Sequence, residues 1–492
     1  KIKFYLEPLT LKLKVETFDP TLSIKNNYIN VKKIKAKISP VSLLRGQNSL
    51  EQISVKSKDN KIKNLIKILR IYENNFQTII LDKVVQNGLI IFELDLELDK
   101  KGKLKNNFNI QGKVKKFEIT FLNKVSELVT DFDFIYSNNK TKILNGKIDY
   151  KGITLITETI NISRSNNNLF LIEGNIKTNN AQIDIKPITE RLLGTSKLIE
   201  NHKINLDSNS DFSFNINNKA KITNIAITSK SKIKKIIVPI DGKFIQKVFQ
   251  QDDRIEFINQ VININANLKN FNRFKDGNIS INGSGKFIID GVTDSINYSY
   301  KKDKLTQKIN ILAKLDNNKF YLDKLNFKKK KKQQSSLEMD FKINKDQSIF
   351  FNKIFLKNNK NTFDISNLNF SSDFKINNFK QIDFYFKNKN NKLNNISIIK
   401  NKKFYKISGE SFDGSKLIDN IINGKKNNNY LFDFDTSIKI ELKKFFIDNE
   451  NYLLNTNGSL KILKNKITDL NIKSSFLNGE ELILQIKTNK KK

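Results

Sequence analysis

The chain is 492 residues long, 38% hydrophobic and 28% charged, with a formal net charge of +38, a single histidine and no cysteine. This composition excludes a disulfide framework and a thiolate metal site, and one histidine leaves the common zinc and nucleophile arrangements almost without material. No run of 18 or more apolar residues is present, so the segment carries no transmembrane-helix signal, and no signal-peptide pattern is seen.

Taken in chain order, strand patterns dominate. "YINVKKIKAKI" alternates apolar and polar residues and leads into "SPVSLLRG", where Ser39 can cap a helical turn, Pro40 suits its first position and Gly46 can end it in the left-handed conformation. "LEQISVK" then resumes the alternation. "DNKIKNLIKILRIYENN" carries Ile62, Leu65, Ile66 and Leu69 at helical spacing and predicts a helix over 61–73. "GLIIFELDLELDK" places Ile90, Phe92, Leu94, Leu96 and Leu98 on one strand face. "PITERLLGTSKLIEN" and "IDGKFIQKVFQQ" read as short helices. "VININANLKNF" puts Ile262, Ile264, Ala266 and Leu268 opposite asparagines, and Phe384 and Phe386 alternate in the same way. In "FDGSKLIDNIINGK", Asp413 can cap a helix over 414–423 that Gly424 closes. "LFDFDTSIKIEL" keeps Phe434, Ile438 and Ile440 in phase. Short segments with Asn, Gly or Asp ("NGK", "NNN", "DGN", "KDK") read as hairpin turns of an antiparallel meander.

Chemistry-bearing patterns are sparse. Asp131/Asp133 and Asp433/Asp435 have the i, i+2 spacing that on a strand places two acids on one wet face. "INGSGKF" lacks the spacing of a phosphate loop and reads as a hairpin turn between "GNISI" and "KFIIDG". His202 sits between polar residues, as a solvated loop residue would. The lysines are spread evenly, and Asn, Ile and Phe are inflated beside them, which is what A/T-rich codons produce. Lys328–Lys332 and the terminal lysines then read as solvated loop and tail. No concentrated basic face supports a nucleic-acid partner, and no motif argues for an enzyme, a cofactor or a metal.

An alternating chain of this length makes about thirty strands, a sheet on the order of 140 Å long at ~4.8 Å per strand. Four small helices cannot cover its apolar face, which must meet a second sheet, coil into a solenoid, face lipid as a barrel, or curl around apolar ligand. The fold expected is mostly β: an elongated, twisted antiparallel sheet curled into a long apolar groove, with a few short helices. Its lining is expected to include Ile90, Phe92, Leu94, Leu96, Ile262, Ile264, Leu268, Phe384, Phe386, Phe434, Ile438 and Ile440. Three segments are expected: an N-terminal unit over 1–76, a continuous meander over 77–408 and a C-terminal segment over 409–492.

The strand pair joined by "SPVSLLRGQNSLEQISV" resembles the N-terminal unit of the AsmA-like superfamily, where a Ser-Leu-Leu-x-Gly turn precedes an I-x-x-I-x-V strand. The segment from "KISGESFDGSKLIDNIING" onward looks like the C-terminal part of YhdP-type members, with Gly409, Asp413 and the helix through Ile422 at the matching positions. The chain departs from that pattern in having no Trp, in lacking the upstream membrane helix and in ending on a lysine tail. The resemblance implies a bridge-like lipid transfer protein of the YhdP/TamB type. It would be periplasmic, anchored in the inner membrane by a segment upstream of Lys1, and would carry phospholipid acyl chains between inner and outer membrane, with membrane proteins as partners. The alternatives are an outer-membrane β-barrel or surface β-protein, then a basic nucleic-acid binder.

Overall fold

The computed structural model describes the chain except residues 9–10, 73–75, 106–107, 121–126, 138–139, 151, 165–168, 187–202, 218–220, 240–253, 270–276, 305, 373–375, 417–434, 464–465 and 488–492. The expected helices over 187–202 and 240–253, nearly all of that over 414–423, His202 and Phe434 therefore lie outside the described residues. The chain divides into two compact units, one of Lys1–Asp184, Asn205–Ser231 and Asn265–Phe274, the other of Ile185–Ile204, Lys232–Ile264 and Lys275–Lys492. Both are built from long strands, as the alternation predicts.

In the first unit, the long strands pair antiparallel in succession: Asn27–Ile38 with Leu50–Ser57, that strand with Val85–Glu97, and onward through Asn109–Thr120, Glu127–Ser137, Lys140–Tyr150, Ile153–Arg164 and Phe170–Asp184. The helical turn α1 (Pro40–Leu44) closes the first hairpin. The Ser39 side chain accepts from the Ser42 N–H at 3.3 Å, and Gly46 takes a φ of +65°. Helix α2 (Ile62–Tyr72) lays Ile62 and Ile66 on Val85 and Val114, with Ile90, Phe117, Phe132 and Phe134 around them. A further helix, α3 (Phe76–Val84), was not expected; an Arg70–Asp82 ion pair ties it to α2.

In the second unit the antiparallel meander runs through Asn278–Ile289, Val292–Lys302, Gln307–Lys314, Ser335–Ile343, Ile349–Asn358, Asn361–Phe370, Gln381–Lys387, Leu393–Lys400 and Tyr405–Asp413. Tyr405–Asp413 then pairs in parallel with Thr436–Phe446. A parallel step needs a crossover connection rather than a hairpin, and residues 414–435 supply its length. The meander closes with Tyr452–Leu463, Lys466–Ser475 and Glu481–Lys487.

Between Gln307–Lys314 and Ser335–Ile343, which pair directly, the chain makes an excursion that folds into a separate hairpin of Phe320–Leu322 and Phe327–Lys329. Phe327 is 1% exposed, its ring 4.8 Å from that of Phe363 and 5.6 Å from that of Phe386. This corrects the reading of Lys328–Lys332 as solvated throughout. Lys329 is fully buried, and its ammonium donates to the carbonyls of Asp316 at 2.9 Å and Asn318 at 2.6 Å. The hairpin alternates Phe327 and Lys329 onto its inner face, so the lysine is carried in with the phenylalanine and satisfied by backbone oxygen.

Two turn readings are also corrected. "NGK" at 145–147 lies inside Lys140–Tyr150, where Asn145 has a φ of +52° and the register shifts between Leu144 and Lys147. Gly283 and Gly285 lie inside the unbroken strand Asn278–Ile289. Their missing side chains leave room for others: a Cβ on Gly283 would come within 2.2 Å of the Tyr298 ring, and one on Gly285 within 2.2 Å of the Gln260 amide. Gly283 and Tyr298 are directly opposite, so the tyrosine covers the gap that the glycine leaves.

Candidate functional site

Strand register decides which side chains share a face. In the second unit one apolar row crosses successive strands as Tyr298, Ile311, Met339, Ile354, Ile365, Ile382, Ile398, Ile407 and Ile440. Every member is half-buried. Beside it runs a second row, Ile296, Ala313, Leu337, Leu356, Phe363, Phe384 and Ile396. The hairpin packs on the end of this second row, where Phe320, Phe327, Phe363 and Phe386 form one buried cluster. On the other flank Leu368, Phe379 and Tyr405 form another, with Ile438 against it. Aromatic clusters thus fill both flanks, and a nearly all-aliphatic row lies between them.

The first unit has a comparable row, Ile34, Val55, Leu94, Ile110, Tyr136, then Thr141, Ile162 and Ile172. Leu94 belongs to it; Ile90 is opposite Val114 and lies under α2, while Phe92 is opposite Gly112 and Leu96 opposite Ile53. Ile262 and Leu268 are buried and Ile264 is half-buried, while Asn263, Asn265 and Asn267 are exposed, as the alternation predicts. Ile438 and Ile440 are half-buried, the former opposite Tyr405 and the latter opposite Ile407. Phe384 is half-buried, whereas Phe386 is fully enclosed by the hairpin cluster. The seven members from Ile311 to Ile407 were not singled out from the sequence, because a row across strands is visible only once the register is known.

The opposite face is polar. Asp131 accepts the Lys116 N–H at 2.6 Å and Asp133 accepts from the Asn145 amide at 3.1 Å, so this pair serves the strand backbone and its neighbours. In the second unit a shallow depression of ≈ 360 Å³ lies beside Asp383, Ser397 and Glu410, and in the first unit one of ≈ 440 Å³ lies beside Glu173, Asn175 and Asp211. Among the described residues no group of three His, Asp or Glu could hold a metal ion, and no helix is long and apolar enough to cross a membrane. At one end of the apolar face, burial pushes the hydroxyls of Tyr298 and Tyr300 up to about 12; Tyr300 donates to Gln307 Oε1 at 3.2 Å. Six of the nine residues of the row from Tyr298 to Ile440 also pack against the two buried clusters, Tyr298 and Ile311 on the hairpin cluster and Ile354, Ile365, Ile382 and Ile398 on that of Leu368, Phe379 and Tyr405. No family model, curated protein or solved structure matches the chain.

Proposed function

We propose that this chain is a lipid conduit of the AsmA-like kind, carrying phospholipid by its acyl chains between inner and outer membrane in the periplasm, with the rows curled into a groove. The observation that supports it most is the row from Tyr298 to Ile440, which stays apolar and half-buried across nine strands. Each methylene placed on such a surface contributes ~0.8 kcal/mol, so a long chain is held firmly without any single indispensable residue. Because successive rungs are nearly the same, a chain can shift from one strand to the next with little change in energy.

Extraction of the purified protein followed by mass spectrometry of bound lipid tests this reading, and lipid-free, monodisperse protein would count against it. A photo-crosslinker at Ile438 should capture phospholipid and one at the exposed Lys439 should not. Equal capture from both faces would refute the assignment of the binding face. The barrel alternative needs a closing strand pair. Ile2–Glu7 pairs with Lys12–Phe18 and Glu481–Lys487 with Lys466–Ser475, and a barrel would have to join the free edges of these two terminal strands.

A further inference from the structure

Lysines directly opposite one another repel, and the other such pairs among the described strand pairings have an acid beside them. Lys14 and Lys37 share Glu7; Lys33 and Lys56 have Glu16 and Glu93; Lys406, opposite Lys439, has Glu441. One set departs from this rule. Lys301, Lys308 and Lys342 stand opposite one another on three adjacent strands, and among the described residues none of them forms an ion pair. Lys304 and Lys345 are exposed on the two turns that border them. The carboxylates of those turns are engaged locally: Asp303 accepts the N–H and hydroxyl of Thr306, and Asp346 accepts those of Ser348. Lys342 also lies over the Phe350 ring at 4.9 Å. The same strand ends carry the apolar residues Tyr300, Ile309 and Phe341 on the other face.

We infer that this lysine row is a docking surface for the anionic head groups of a phospholipid membrane. Repulsion that the protein leaves uncompensated is relieved when phosphate supplies the missing charge. The adjoining apolar strand ends favour a lipid surface over nucleic acid. The inference rests on the lipid-conduit reading, but its test is separate from transfer.

Co-sedimentation with vesicles containing anionic phospholipid is the measurement. At about a tenfold loss per one to two lysines removed, the triple variant Lys301→Gln, Lys308→Gln, Lys342→Gln should bind about a hundredfold more weakly. Its melting temperature should not fall, because like charges are removed from adjacent strands. The triple variant Lys360→Gln, Lys402→Gln, Lys403→Gln, at exposed turn positions, should bind within a few-fold of the parent. Equal loss in both variants would overturn the proposal in favour of general charge attraction. Displacement of vesicles by millimolar inorganic phosphate, or tighter binding to an oligonucleotide that the first variant equally loses, would also overturn it by naming a different occupant. Ile407→Asp, on the apolar row, should keep vesicle binding whether or not it transfers lipid. Failure of the docking surface is therefore read in binding and failure of the conduit in transfer.

Discussion

Asn367 sits inside the strand Asn361–Phe370 with a φ of +52°. Before it the apolar-face residues are Phe363 and Ile365; after it they are Leu368 and Phe370, so the phase of the alternation has slipped by one. The same slip occurs at Asn180, where Ile172 and Thr178 give way to Ala181, and at Asn259, where Ile255 and Phe257 give way to Ile262. Lys116 does this once without asparagine, and its N–H is taken by Asp131. At Lys116 the register shifts, as at a β-bulge, and asparagine suits the other three positions because its short polar side chain tolerates the left-handed region. Asn367→Val should therefore lower unfolding stability in urea by about 1–2 kcal/mol, while Asn367→Gly should change it by a few tenths. The two buried tyrosine hydroxyls supply a pH test. A free tyrosine ionises near about 10, so below that both folded and unfolded chains keep the proton and the stabilisation is whole. Between about 10 and about 12 the unfolded chain gives up protons that the folded chain retains, and stability falls as pH rises. The double variant Tyr298→Phe, Tyr300→Phe should show a shallower loss of melting temperature over that window than the parent.

Among the elements, the 320–329 hairpin seats Phe320 and Phe327 in a buried aromatic cluster on the apolar face. Phe327 touches Phe320, Phe363 and Phe386, so Phe327→Ala should destabilise by about 3–5 kcal/mol, as expected for a closed aromatic site. Ile407 belongs to neither flanking cluster, and Ile407→Ala should cost less, about 1 kcal/mol or below, by the same denaturant titration. Similar costs at both positions would mean that the row is packed as an ordinary core. The sequence made the strands, the Ser39 cap and the 62–72 helix legible, because each depends on residues close in the chain. It did not reveal the hairpin's inward lysine, whose partners Asp316 and Asn318 are backbone groups with no side-chain signal. Nor did it separate "NGK" in a bulge from "NGK" in a turn, since both need the same left-handed backbone.

For the molecule as a whole, the transport proposed here would be a series process: every acyl chain would have to pass each strand in turn. A single charge on the path is therefore a barrier for all of them, since desolvating an ion beside hydrocarbon is expensive. Ile407→Asp leaves the backbone pairing of Tyr405–Asp413 intact at a half-buried position, so the melting temperature should shift by only a few degrees. Transfer of labelled phospholipid between vesicles should be abolished. Cooperative collapse of the fold instead would place Ile407 against protein rather than lipid. The row across strands was hidden in the sequence. Ile382 and Ile398 are 16 positions apart and meet only through register.

The parallel step between Tyr405–Asp413 and Thr436–Phe446 also sets a timetable. In the second unit the antiparallel strands pair with neighbours that emerge soon after them, and a hairpin closes in about 1–10 μs once both arms exist. Tyr405–Asp413 pairs backward at once with Leu393–Lys400, but its other edge must wait for Thr436–Phe446. At about 5–20 residues per second, residues 414–435 take roughly one to four seconds to be synthesised. For that interval the nascent protein ends in an open strand edge, long enough to meet other chains. The waiting strand carries Lys406, Glu410 and Asp413, charges that discourage a stray strand from joining until the Lys406–Glu441 and Lys443–Glu410 ion pairs close the gap with its own partner.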